Sequence, residues 1–275
     1  TPSAKAEADR LIALNPDYPR WIAGVPPDRV SETAFVRAAV WADDIKAPDH
    51  GYTNDGDRPT RPDAGQNIGY ADKLMHKYWH YKDIAFSTDG TPLAEADAVN
   101  AITQIKLFIA ALPASSGTSD DVRSYDLVWL LHLVGDVHQP LHATTRVSQS
   151  RRDGDFGGNA VRVRPATGEV IKLHEYWDRM FGGYSTPRGA ILDATSPDGL
   201  IHVPVDPKAA ANGDPESWLQ ESFDAAKAFV YAEPVLSGAE PIELTKSYET
   251  AARTLSRTRA ALAAQRLANL LNQAF

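Results

Sequence analysis

The chain has 275 residues, 43% hydrophobic and 23% charged, an ordinary globular balance. Its net charge of −8 argues against a basic duplex-binding groove, although bound divalent ions would still let it hold a phosphate. Cysteine is absent, which removes disulfides and thiolate metal sites. The longest apolar stretch, Leu127 to Val137, is interrupted by His132, Gly135 and Asp136 and does not reach membrane-spanning length.

Taken in chain order, helical periodicity first covers 3–15, with Thr1 or Ser3 as N-cap and Ala6, Leu11, Ile12 and Leu14 on one face. Asn15-Pro16-Asp17 breaks it, and Trp21-Ile22 opens a short segment. The next helix is expected at 31–45 with Ser31 as N-cap. Residues 47–66 are rich in Asp, Gly, Pro and Asn and read as a long loop. Helices follow near 67–78, at 92–112 and at 119–137. Val161-Arg-Val-Arg, Ala166-Thr-Gly-Glu and Val170-Ile-Lys form a small β-hairpin pattern. A short helix at 174–180, an irregular region to about 213, and helices at 214–232 and 244–272 complete the chain. The fold class read from this is all-α, one multi-helix domain over 1–275 with a small β-hairpin.

The densest chemistry lies in His132-Leu-Val-Gly-Asp136-Val-His138-Gln-Pro-Leu-His142. His132 and Asp136 are spaced i,i+4 and share one helix face. Gln139-Pro140 ends the helix and lets His142 approach from a new direction. The spacing returns in His174-Glu-Tyr-Trp-Asp178. One such pair is also what helix-end histidines capping carbonyls look like. Two pairs with His142 point to a multinuclear metal site. Imidazole and carboxylate without thiolate suit zinc best, ahead of manganese or iron.

With Trp41-Ala-Asp43, Trp79-His80-Tyr81-Lys-Asp83, Gly157-Gly158-Asn159, Trp218-Leu-Gln-Glu221-Ser222 and Arg266-Leu-Ala-Asn-Leu-Leu-Asn272, these motifs stand in one order over about 3–272. The chain in this respect resembles the zinc-dependent, single-strand-specific nuclease and 3′-nucleotidase family of the S-one/P-one type, whose fold is shared with zinc-dependent phospholipase C. The resemblance implies that Asp43, His80, His132 and Asp136 hold one zinc and that His142, His174 and Asp178 hold a second. It also implies a third, bridged by Asp136. The N-terminal Trp and the His five residues later that complete that site in the family have no counterpart here. Two zinc sites are therefore supported, and the family's first segment is expected to be missing.

Further roles follow from the same resemblance. Asp43 would accept a proton from metal-activated water, and Lys46 would stand where the family often has an arginine facing the phosphate. Tyr81 would stack on a nucleobase while Asp83 accepts base N–H groups, and Asn159 would hold a phosphate oxygen. The expected activity is hydrolysis of single-stranded DNA or RNA to 5′-mononucleotides, together with dephosphorylation of 3′-nucleotides. No membrane or obligate protein partner is expected, the chain acting as a monomer. A secreted or periplasmic location is implied. The alternatives are a phospholipase C on the same metal scaffold, or a zinc-binding protein whose catalysis is impaired because the third site is incomplete. His50, His76, His138 and His202 have no matching role and are read as structural or surface residues.

Overall fold

The computed structural model describes residues 1–181 and 186–275. Helix α1 (Pro2–Ile12) starts as expected, with the Thr1 hydroxyl accepting from the Ala4 amide. After α2 (Tyr18–Ile22), α3 (Val30–Asp44) begins one residue early. Ser31 does not cap it; its hydroxyl donates to the Asp9 carboxylate at 2.9 Å and ties α3 to α1.

The expected helix at 67–78 is absent. Two 3-10 turns, Gly69–Ala71 and Lys77–Trp79, flank His76, which sits in the left-handed region at φ 44°. Side-chain acceptors have displaced the helical ladder here. Asp72 takes the Leu74 amide at 3.0 Å and His76 Nε2 at 2.8 Å, and Asp55 takes the His76 amide at 2.9 Å.

Strand β1 (Ile84–Ser87) follows, and α4 (Ala101–Ala111) starts far later than the expected residue 92. Asn100 sets that start through a capping box with Thr103, which satisfies the first free amides. Helix α5 (Asp120–Asp136), capped by Ser119, is buried on nearly every side and forms the centre of the fold. It packs against α1, α3, α4 and the long helix at Lys246–Ala274. Trp41, Tyr70, Trp79, Tyr125 and Trp129 meet edge to face around it.

Strand β2 (Thr144–Val147) pairs in parallel with β1, a pairing that the sequence had not suggested. The anticipated hairpin is present as β3 (Arg162–Arg164) against β4 (Ile171–Lys172). Next come α6 (Leu173–Asp178), α7 (Pro187–Thr195), α8 (Pro207–Ala211) and α9 (Pro215–Ala225), the last continuing into a π turn at Ala226–Val230. Helices α7 and α8 correct the irregular reading of that region, and each opens on a cap followed by proline, Thr186-Pro187 and Asp206-Pro207. Strand β5 (Ile242–Glu243) joins β3 in parallel, making three strands of the hairpin, before α10 (Lys246–Ala274).

The fold is mostly α, as expected. Among the described residues no helix is long and apolar enough to cross a membrane. A second apolar cluster, built on Phe86, Leu141, Val163, Trp177 and Tyr231, lies under the three-stranded sheet. The junction of the two clusters carries the site.

Candidate metal centre

Five segments deliver the site residues. Asp43 comes from the end of α3, His80 from the turn after Trp79, His132 and Asp136 from the end of α5, and His174 and Asp178 from the two ends of α6. His142 lies in a 3-10 turn at Pro140–Ala143 that Gln139 caps by accepting the Leu141 amide. All seven residues meet, as two triads. Asp43, His80 and His132 offer ligand atoms within 4.8 Å of one another, and so do His142, His174 and Asp178.

Asp136 stands between the triads. Its Oδ2 is 2.9 Å from His80 Nδ1, 3.1 Å from His132 Nε2 and 3.6 Å from His142 Nδ1. In the second triad Asp178 lies 3.5 Å from His142 Nε2 and 3.4 Å from His174 Nε2, and Gln139 Nε2 donates to it at 2.8 Å.

The ring orientations are fixed from behind. His132 Nδ1 donates to the Ala39 carbonyl, His142 Nδ1 to that of His80 and His174 Nδ1 to that of Gly157, each at 2.8 Å. In the neutral rings these bonds leave the Nε2 lone pairs of His132, His142 and His174 free. Backbone orientation of this kind is the usual support of metal-bound histidine. Gly157 is needed for it. The residue has φ 60°, and a Cβ there would meet the Leu141 carbonyl oxygen at 2.4 Å.

Lone pairs facing carboxylates repel unless a cation or added protons lie between them, so the donor set fits metal ions. The protonation preferences say the same. Burial disfavours a charged ring, yet Asp136 outweighs it and pushes His132 up to about 9 and His142 up to about 10. Burial and neighbouring positive charge bring His80 down to about 4, despite its bond to Asp136. Against the opposing effect of burial, His132 and Lys46 hold Asp43 below its ordinary value. Residues Asp43, His80, His132 and Asp136, and separately His142, His174 and Asp178, are thus those that could hold the ions.

The centre opens into a cleft of about 1030 Å³. Lys46 lies at its edge, its Nζ 2.6 Å from Asp43 Oδ1. The Tyr81 ring lines the cleft, and its hydroxyl donates to the Asp57 carbonyl at 2.5 Å. Asp83 also lines it, without a hydrogen-bond partner among the described residues; burial, with Asp155 nearby, pushes its carboxyl up to about 7. Asn159 Nδ2 donates to the Phe156 carbonyl at 2.9 Å.

Three cleft residues escaped the sequence reading. Phe156 is 55% exposed in a left-handed conformation at φ 54°, and its place just before Gly157-Gly158 was the signal that could have found it. Gln139 steadies Asp178, and Lys172 lines the cleft beside Asn159. Two of the remaining histidines are buried. His76 is buried between Asp55 and Asp72, and His138 donates to the Val134 carbonyl with Arg266 at its other nitrogen.

The sequence pattern of the S1/P1 nuclease family matches residues 6–275. The chain belongs to the S1/P1 nuclease family. Among curated proteins, Endonuclease 4 of Arabidopsis thaliana is 37% identical over 73 residues, which is 25% of this chain and 22% of that protein. The matched segment thus spans about a fifth of that relative's length. Use of metal ions is a property of the S1/P1 family, in keeping with the two triads.

Proposed function

We propose that the protein is a zinc-dependent phosphodiesterase that hydrolyses single-stranded DNA or RNA to 5′-mononucleotides and also dephosphorylates 3′-nucleotides. The observation that carries this reading is the Asp136 oxygen set between two His/Asp triads at the floor of a cleft walled by Tyr81 and Phe156. Bound zinc would supply water activation near neutral pH and neutralise charge on the phosphoryl oxygens.

The chain's own groups do the rest. Asp43 Oδ1 is engaged by Lys46, so Oδ2 is the atom free to take the proton of the attacking water. Water oxygen bonds to phosphorus, the bond to the 3′-oxygen breaks, and that oxygen leaves protonated from solvent. Lys46 holds its ammonium beside the reacting phosphate. Lysine brings charge without the two-pronged geometry of arginine. Tyr81 and Phe156 offer faces to an unstacked base, and the unpartnered Asp83 carboxylate offers an acceptor for base N–H groups. A paired base cannot reach such a pocket, hence the preference for single strands. A secreted or periplasmic location and a monomeric state belong to the same proposal.

The test is hydrolysis of single-stranded DNA, duplex DNA and phosphatidylcholine by protein loaded with zinc. Cleavage of the single strand above the other two is expected. Tyr81→Ala should cost roughly 1–3 kcal/mol in substrate interaction, the usual range for base stacking, and Asp83→Ala should reorder base preference. Hydrolysis of the phospholipid with no cleavage of DNA would replace this reading by the phospholipase one. Zinc binding without any turnover would leave a sequestering protein.

A further inference from the structure

We propose that Lys172 binds the phosphate next to the scissile one, so that the protein acts better on a strand than on an isolated 3′-nucleotide. This rests on the nuclease reading above and names the part of the substrate that this residue recognises.

Lys172 is the last residue of β4, immediately before α6. Neighbouring strand residues face opposite sides. Ile171 packs into the apolar cluster beneath the sheet, and Lys172 accordingly lines the cleft. Its Nζ lies 3.5 Å from Asn159 Oδ1. The amide is pinned in that orientation, because Asn159 Nδ2 donates to the Phe156 carbonyl. One long bond to a neutral oxygen leaves the ammonium's other donors unused.

Its charge is uncompensated too. Of the other lysines lining the cleft, Lys46 pairs with Asp43 at 2.6 Å and Lys77 with Asp57 at 3.4 Å. Lys172 makes no ion pair among the described residues, Asp178 included, although it stands in a cleft rich in aspartate. A cation held in place without a carboxylate suits an anionic ligand. Lys172 lines the same cleft as His174, two residues on, without belonging to the second triad. That position suits a flanking phosphate, which a strand has and a 3′-mononucleotide lacks.

The experiment compares the zinc-loaded parent with Lys172→Gln and Lys172→Arg. Two readouts are taken across a salt series: kcat/KM on oligothymidylate and on a 3′-mononucleotide, and the anisotropy-measured Kd of a labelled phosphorothioate oligothymidylate. The Gln variant should lose about tenfold on the oligomer, the range for one charge-assisted contact, and no more than a third of that factor on the mononucleotide. Its log Kd against log salt should flatten by roughly 0.7, one phosphate contact to a single strand, and the Arg variant should restore the slope. An unchanged slope, or equal losses on both substrates, overturns the proposal. A parent that binds the oligomer without cleaving it defeats the hydrolytic reading instead, and the slope comparison then judges Lys172 on binding alone.

Discussion

Asp136 and His142 approach to 3.6 Å although one ends a helix and the other lies in a proline turn, which sets the carboxylate beside the first triad against a histidine of the second. The first prediction follows. Asp136→Asn should abolish activity and lose metal more broadly than His174→Ala, because its carboxylate serves the first triad and lies beside His142 of the second, whereas His174 serves the second triad alone. Elemental analysis of each purified variant measures this. Equal depletion by the two would mean that Asp136 serves no bridging role.

Stripping the metal should also weaken the fold. Asp43, Asp136 and Asp178 then share one cleft and must rely on protonated His132 and His142 and on Lys46 for compensation, and any ligand that binds only the folded chain adds stability. We expect a chelator to lower the melting temperature and zinc to restore it, by about 2.7 kcal/mol of stability when free zinc is 100-fold above its dissociation constant. A melting curve indifferent to confirmed metal loss would defeat the site.

Away from the centre, Asp126 on α5 is fully buried. Its Oδ2 accepts from Asn67 Nδ2 at 3.0 Å, while Asp126 Oδ1 and Asn67 Oδ1 both lack partners. A proton on the carboxyl would remove an uncompensated buried charge, and burial pushes Asp126 up to about 8. A carboxyl raised in the folded state contributes stability below its unfolded value near 3.9, and that contribution fades as pH climbs toward 8. Asp126→Asn should therefore gain on the parent as pH rises from 5 to 8, by up to about 1.4 kcal/mol per pH unit, and no further above it. Denaturant melts at several pH values check it; a constant difference refutes it.

The fourth prediction concerns Glu221, which joins Arg259 at 2.8 Å and the wholly buried Arg266 at 2.7 Å. Glu221→Ala leaves two cations facing each other under α9. Breaking a fully buried pair costs about 3–5 kcal/mol, and because Glu221 keeps some contact with water we expect about 2–3 kcal/mol. Urea denaturation reads the loss, and a change below about 0.5 kcal/mol would place the pair in the negligible surface class.

Much of the site was legible because helices write their faces at a fixed interval. His132 with Asp136, and His174 with Asp178, needed only the i,i+4 rule. Asp43 and His80 were legible only through the family resemblance, since each reaches the centre from a different segment. Lys172 carried no local signal of chemistry, and Phe156 only its place before Gly157-Gly158; their meaning comes from what the chain packs beside them. The fold followed the same division. Capped helices such as α1 and α5 were readable. The parallel pairing of Ile84 with Thr144 joins distant residues, and the lost helix at 67–78 depended on Asp55 reaching across from another loop.

His80 and Tyr81 are consecutive, and the segment that carries them is tied down at both sides. Trp79 Nε1 donates to the Ala64 carbonyl, and the Tyr81 hydroxyl donates to that of Asp57. The ring that would meet an ion and the ring that would meet a base thus ride on one strap. Any bias that occupancy at one end exerts on the geometry of the other is reciprocal by thermodynamic necessity. Whatever affinity the metal lends to the base, the base returns to the metal, so a bound strand should lower the dissociation constant of the ion beneath it by the same factor.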